Sequence, residues 1–286
     1  MIDHSSLQTY RECPYRYRLA YLEGLKKREE GEAEHHANFG GAIHKGLEAH
    51  YKGGSLEQVL ESFQAAYPVQ LDQQDLAKTQ ANGRKLLQEY IRFYTEEDKR
   101  YEIVAVEVVD SFEISFGIPY TVKLDLIVKH KSSGEFYGID HKTTGKSLDY
   151  NYWVQFDPNA QLTGYCAYIQ HRYGSCSGMY VNALSFGYRQ RAYRGEPPGF
   201  HWNFQRQLFN RNKHQIEAWK EDTIGWIEDL SYSKENNRFY KNTSQCRWCS
   251  YRPICMAEWT PEKDGEQIGV LYEKVEDPMA YLKEIR

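Results

Sequence analysis

Tyr120-Thr-Val-Lys-Leu-Asp125-Leu-Ile-Val-Lys-His130-Lys-Ser-Ser-Gly134-Glu-Phe-Tyr137-Gly-Ile-Asp140-His-Lys142-Thr-Thr144 is the stretch on which the fold turns. From Ile118 to His130 the residues alternate, with Tyr120, Val122, Leu124, Leu126 and Val128 on one face and Thr121, Lys123, Asp125 and Ile127 on the other. Period-two alternation is the mark of a strand. Lys131-Ser-Ser-Gly134 has turn composition, and Glu135 to Lys142 reads as the returning strand. Such a hairpin brings Asp125 beside Asp140. Lys142, two positions on, points to the same face as Asp140, roughly 6.5–7 Å along the strand. Facing carboxylates repel unless a divalent cation lies between them. Mg²⁺ takes one or two carboxylates and leaves other positions to water and phosphate oxygens. A neighbouring ammonium can orient a water and offset charge on a pentavalent phosphate. The chemistry implied is metal-assisted phosphodiester hydrolysis. An isolated D-x-K, by contrast, is most often a pair of solvated strand residues.

The rest of the chain sets the frame. It has 286 residues, 36 basic and 40 acidic, a net charge of −4 and a pI near 6.2, which excludes a globally basic nucleic-acid coat. Hydrophobic residues make up 41% and mean hydropathy is −0.77, as expected of a globular protein that binds no membrane. No apolar run is long enough to span a bilayer. Met1-Ile-Asp-His-Ser-Ser6 lacks the basic-then-apolar order of a secretion signal. A cytoplasmic location follows, where structural disulfides are not expected, so the six cysteines need another explanation. Helices are expected over 5–26, broken near Cys13 by Pro14, over 39–51 with Gly53-Gly54 at its end, and near 55–66 and 72–97. Residues 27–38 read as a loop, 102–116 as a strand, 158–172 as a helix, 177–188 as a strand and 207–230 as a long helix. The tail from 260 carries no assigned role. The pattern is mixed α/β with helical additions at both ends.

Three motifs in order add a resemblance. Asp125…Asp140-His-Lys142 resembles the PD-(D/E)XK nuclease signature in its D-x-K form. Phe39-Gly-Gly-Ala-Ile-His44-Lys-Gly-Leu-Glu48 resembles the G-x-x-x-H helix of RecB-like exonucleases, and Gln161-Leu-Thr-Gly-Tyr165 resembles their Q-x-x-x-Y helix. The resemblance implies a restriction-endonuclease-like α/β core, a central mixed sheet flanked by helices. It further implies that His44, Asp125, Asp140 and the His141 carbonyl bind Mg²⁺ or Mn²⁺, and that Lys142 is the catalytic lysine. Gln161 and Tyr165 would touch DNA or brace the site. Glu107 would match an acidic residue that some relatives carry on the first core strand. Residues 1–100 would be the N-terminal helical region, 101–206 the nuclease core and 207–286 the C-terminal helix and cysteine segment, all in one integrated domain.

Cys246-Arg-Trp-Cys249 and Cys255 supply three thiolates in one short segment, and Cys13 is the candidate for a fourth ligand. Spacing alone favours zinc. The resemblance to RecB-like iron–sulfur nucleases, with one N-terminal and three C-terminal cysteines, implies a 4Fe–4S cluster that would tie the first helix to the far end of the chain. Cys166 and Cys176 fall outside this pattern and suit buried packing. Asp140 to Ser147 imitates a P-loop but begins with Asp where the tight turn needs Gly, so an ATPase is not indicated. Basic and aromatic residues interleave at Tyr10–Arg18, Tyr188–Arg194 and Arg206–His214, and with Tyr150, Tyr152 and Trp153 they suggest a groove for a single strand. The expected function is a metal-dependent DNA exonuclease acting on single strands or DNA ends. The alternatives are a nuclease-like subunit that holds DNA ends for a helicase or integrase partner, and a zinc-stapled structural protein.

Overall fold

The computed structural model describes residues 2–28, 32–67, 76–192, 195–257 and 269–283, with residues 32–37 as backbone only. In chain order the elements are α1 (His4–Glu12), α2 (Pro14–Tyr17), β1 (Leu25–Lys27), α3 (Glu32–Tyr51), α4 (Leu56–Ala66), α5 (Gln80–Asp98), β2 (Tyr101–Ser115), β3 (Ile118–His130), β4 (Phe136–Thr144), α6 (Tyr150–Trp153), α7 (Ala160–Tyr173), β5 (Gly178–Arg189), β6 (Gly199–Phe209), α8 (Lys213–Glu235), α9 (Arg252–Met256) and β7 (Tyr272–Lys274). Two compact units emerge, one of Glu30–Val108 with Lys123–Ile216, the other of Met1–Glu29, Val109–Val122 and Glu217–Arg286.

Strands β2-β3-β4-β5-β6 form one sheet in that order. β3 pairs antiparallel with β4 and β5 antiparallel with β6, whereas β4 and β5 run parallel, so the sheet is mixed. Parallel neighbours need a crossover, and α7 supplies it. Gly138 on β4 lets this layer close, because a Cβ there would sit 2.3 Å from Met179 Sδ and 3.0 Å from Ile169 Cδ1 on α7. The apolar residues of α3, α4 and α5 pack with Leu126, Val128, Ile139, Leu184, Phe186 and Phe204 of the sheet in one buried cluster.

Gly83 decides how α5 meets α4. A Cβ there would lie 2.1 Å from Cζ of Phe63, a ring with no exposure. Helix propensity alone would make Gly83→Ala stabilising by about 1 kcal/mol. Overpacking of a closed core costs about 1–3 kcal/mol and should win. Urea unfolding is therefore expected to show a lower midpoint for Gly83→Ala, and an unchanged or higher midpoint would refute that packing.

In the other unit, Pro14 takes the first position of α2, and Cys13 between the two helices is extended at φ −163°. β1 and β7 pair antiparallel, and Leu19, Leu25, Tyr251, Ile254 and Tyr272 form a small core. Tyr10 Oη bonds Ser233 Oγ at 2.8 Å and donates to the Asp229 carbonyl at 3.0 Å, which fixes α1 on α8.

Several boundaries differ from the sequence reading. The break at Cys13 is present, and the helical region runs on as a π-helical turn over Arg18–Leu22 before β1 begins at Leu25, against an expected end at 26. The loop expected over 27–38 is already helix from Glu32, and residues 29–31 lie outside the described residues. The helix expected from 72 begins at Gln80, where Thr79 caps it, and residues 68–75 are likewise outside. β6 had no place in that reading. Phe200, Trp202, Phe204, Arg206 and Leu208 alternate across it, yet a helix was expected to start at 207. That helix begins at Lys213 instead. Of the tail from 260, residues 260–268 and 284–286 lie outside the described set, and the described part includes β7.

Candidate active site

The β3–β4 ladder runs from Lys129–Phe136 to Leu126–Ile139 and stops there. One step further the Asp125 carboxylate takes over, its Oδ2 accepting the His141 N–H at 2.7 Å. The strands fork at this point, and the acidic residues stand in the fork. Helix α3 carries His44 to it. Gly40 makes the approach possible, since a Cβ there would already meet Thr143 Oγ1 of β4 at 3.0 Å. Four residues on, one helical turn, His44 Nδ1 lies 3.5 Å from Asp125 Oδ1. The G-x-x-x-H spacing thus has a steric cause.

Glu107 reaches the same place from β2. Its φ of +50° is left-handed, in a strand of otherwise extended residues. Such a conformation costs a non-glycine residue on the order of 1 kcal/mol and is concentrated at functional sites. His44, Glu107 and Asp125 each offer a ligand atom, and these atoms lie within 4.8 Å of one another. Burial drives the Glu107 carboxyl upward, and the charges of Asp125 and Glu48 add to it. For Asp125 burial also pushes up, but the charge and hydrogen bond of His44 and the His141 N–H outweigh it and hold the group well below the carboxylate range. Burial lowers His44, yet Asp125 more than reverses that and raises it.

Asp140 and Lys142 share one face of β4, as the spacing requires. Nζ lies 2.8 Å from Asp140 Oδ2 and hydrogen-bonds Oδ1 at 3.1 Å. Burial lowers the Lys142 ammonium, but the Asp140 charge outweighs burial and keeps it protonated. Asp140 Oδ2 is buried and accepts no hydrogen bond. Asp140 stands outside the compact trio because its carboxylate is turned to Lys142. The trio joins Glu107 to the His44 and Asp125 of the sequence-derived ligand set.

The His141 ring projects away from Asp140. It stacks on Tyr51 at 5.5 Å and presents an edge to His44 at 6.1 Å. Its Nδ1 lies 2.9 Å from Asn182 Nδ2, which also donates to Tyr90 Oη at 2.6 Å. Burial brings this imidazole down to about 3, so it is neutral and adds no charge beside the metal ligands. Asn182, Tyr90 and Tyr51 were not singled out in the sequence, because they lie on three separate elements with no motif joining them. Gln161 Nε2 donates to Tyr165 Oη at 3.0 Å, and buried Tyr165 in turn donates to the Lys123 carbonyl on β3. This geometry braces β3 two residues before Asp125.

The expected single-strand groove is corrected in part. Arg206 and Arg211 have side chains only 2% exposed and are engaged inside the protein. Tyr10, Tyr17, Tyr152 and Trp153 are buried. Tyr193 and Arg194 lie outside the described residues. The false P-loop is a bend after β4, with no helix start at Gly145.

The four candidate cluster cysteines, Cys13, Cys246, Cys249 and Cys255, line one small cavity. Cys13 Sγ accepts the Asn242 N–H at 3.3 Å, and the Tyr15 N–H donates to the Tyr240 carbonyl at 2.9 Å, so the two ends of the chain already meet through protein contacts. Among the described residues no three thiols lie within 4.8 Å of one another. Cys166 is buried and Cys176 half-buried, both as free thiols. No helix among the described residues is long and apolar enough to cross a membrane.

A mixed α/β sheet, a fork of acidic residues, an imidazole from a flanking helix and an ion-paired lysine define the class of divalent-metal nucleases. The chain belongs to the PD-(D/E)XK nuclease superfamily, whose sequence profile matches residues 3–256. Among solved structures it resembles the crystal structure of a candidate exonuclease from Eubacterium rectale, at 12% identity and TM-score 0.53, over 94% of this chain and 92% of that one. At that identity the likeness is one of fold. No curated protein matches the sequence.

The donor set fits a divalent ion, with two carboxylates and an imidazole converging. Ion uptake must displace protons from His44 and Glu107, both raised above their ordinary values. Fewer protons compete at higher pH, so Mn²⁺ affinity is expected to rise on the order of tenfold from pH 6 to pH 8. An EPR titration of free Mn²⁺ checks this, and a flat or falling affinity would contradict the assignment.

Proposed function

We propose that this protein is a cytoplasmic, metal-dependent DNA exonuclease that hydrolyses phosphodiester bonds on single strands or DNA ends. The observation that carries the reading is the meeting of His44, Glu107 and Asp125 beside the Asp140–Lys142 ion pair, within a chain of the nuclease superfamily. In this reading His44, Glu107 and Asp125 would hold Mg²⁺ or Mn²⁺, with an Asp140 oxygen as a further ligand. The bound ion supplies Lewis-acid activation of the scissile phosphate and of a water. Lys142 keeps its proton, orients the attacking water and offsets charge as it builds on phosphorus. Asp140 aims the ammonium. Asp125 ties the fork by accepting the His141 N–H, and Tyr165 holds β3 in register behind it.

In the same reading Cys13, Cys246, Cys249 and Cys255, which line one cavity, hold a 4Fe–4S cluster that ties the first helix to the C-terminal segment. The test combines anaerobic purification, iron and sulfide analysis, and end-labelled oligonucleotides with Mn²⁺ or with chelator. Metal-dependent release of nucleotides from an end supports the exonuclease. DNA binding without products would instead indicate a subunit that holds ends for a helicase or integrase partner.

A further inference from the structure

The segment Asn236–Ala257 has a composition unlike the rest of the chain. It holds four basic residues, Arg238, Lys241, Arg247 and Arg252, and no Asp or Glu, in a protein whose net charge is −4. All four are exposed, and none pairs with a carboxylate among the described residues. Aromatic rings stand among them. Trp248 is 85% exposed, with the Arg247 guanidinium 5.0 Å from its ring centre. Arg238 lies 5.0 Å from the centre of the exposed Tyr240 ring. Lys241 lies 5.1 Å from Tyr15 and, with Arg252, borders the cysteine cavity.

An exposed indole flanked by a guanidinium presents an open π face beside a positive charge. Acidic protein surfaces would be drawn by the charge, but they offer nothing that needs paired cations and open ring faces together. A single-stranded nucleic acid needs both, since its phosphates seek cations and its bases seek flat π surfaces.

We propose that the exposed face of this segment binds a single strand of DNA, with Trp248 as a base-stacking platform and Arg238, Arg247 and Arg252 as phosphate contacts. This rests on the nuclease reading above and adds to it a binding surface that contains none of the residues assigned to the divalent ion. The cysteines serve here as the frame that holds the segment's shape.

The test uses the full chain, purified anaerobically, and a labelled oligo-dT in fluorescence anisotropy with Ca²⁺, on a Lys142→Ala background so that the strand survives. Trp248→Ala is expected to weaken binding at least fivefold. Arg247→Gln with Arg252→Gln is expected to make the slope of log affinity against log salt shallower by about 1.4, at about 0.7 per phosphate contact on a single strand. In the Lys142-bearing protein the same substitutions should leave Mn²⁺-dependent hydrolysis of bis(4-nitrophenyl) phosphate unchanged, and the visible absorbance should confirm an intact cysteine site. Unchanged oligo-dT affinity and salt slope in these variants, with a parent that binds and cuts DNA, would overturn the surface and leave the nuclease reading standing. A parent that neither binds oligo-dT nor hydrolyses any phosphodiester would overturn the nuclease reading itself, and the surface with it.

Discussion

Lys142→Ala is expected to lower DNA hydrolysis at least about 100-fold while leaving the fold and Mn²⁺ uptake in place. Loss of one preorganised charge aimed at the transition state costs about 2.7 kcal/mol or more, which is that factor in rate. The Lys142 side chain is one-third exposed and among the described residues its ammonium pairs only with the Asp140 carboxylate, so truncation removes a charge without opening the core. Asp140→Asn should behave differently. It keeps the shape of the carboxylate but removes the charge that holds Lys142, and it removes an oxygen available to the ion. Turnover should fall by a similar factor, with weaker Mn²⁺ affinity as well. Steady-state rates on an end-labelled strand, paired with Mn²⁺ titration and thermal unfolding, separate the two roles. Near-wild-type cleavage by both variants would remove this pair from the chemistry. Lost cleavage with a collapsed melting transition would assign the residues to folding instead.

What made the core legible was periodicity. The alternation in β3 and the four-residue turn after it depend on local sequence alone, and Ile118–His130 coincides with the strand observed. His44 was placed by resemblance, and the structure supplies a steric basis for its spacing, because the helix must lose a Cβ at Gly40 to approach β4. Glu107 was placed by resemblance only. A strand period cannot foretell the +50° φ that turns it into the fork, since a single left-handed residue is fixed by its tertiary surroundings. β6 failed for another reason. Its inner face carries Arg206 where alternation calls for an apolar residue, and the charge broke the pattern.

That same arginine gives the second large effect. Read from sequence, Arg206 belongs to a basic surface patch, and its loss would cost DNA affinity. In the structure its guanidinium bonds Asp98 at 2.8 Å and Glu97 at 3.2 Å and packs over the Tyr94 ring at 4.1 Å. Its other arm lies 3.4 Å from Tyr51 Oη and 3.3 Å from Tyr90 Oη. Burial outweighs the nearby cation and keeps both phenols neutral, so Asp98 and Glu97 are left to balance the charge. Arg206→Met removes the cation and strands the half-buried Asp98 carboxylate against Tyr51. Breaking a buried pair from one side costs about 3–5 kcal/mol. In a unit of this size the melting temperature should drop on the order of 10 °C. Asp98→Asn in the Arg206→Met background should recover part of that loss, because it removes the stranded charge. The network continues through Tyr90 and Asn182 to the His141 ring, so the survivors should also bind Mn²⁺ less tightly. A surface cation would give the opposite pattern, with melting unmoved and only the salt dependence of DNA binding reduced. Thermal unfolding and salt-dependent anisotropy on the same variant therefore decide whether this charge holds the sheet together or meets the substrate.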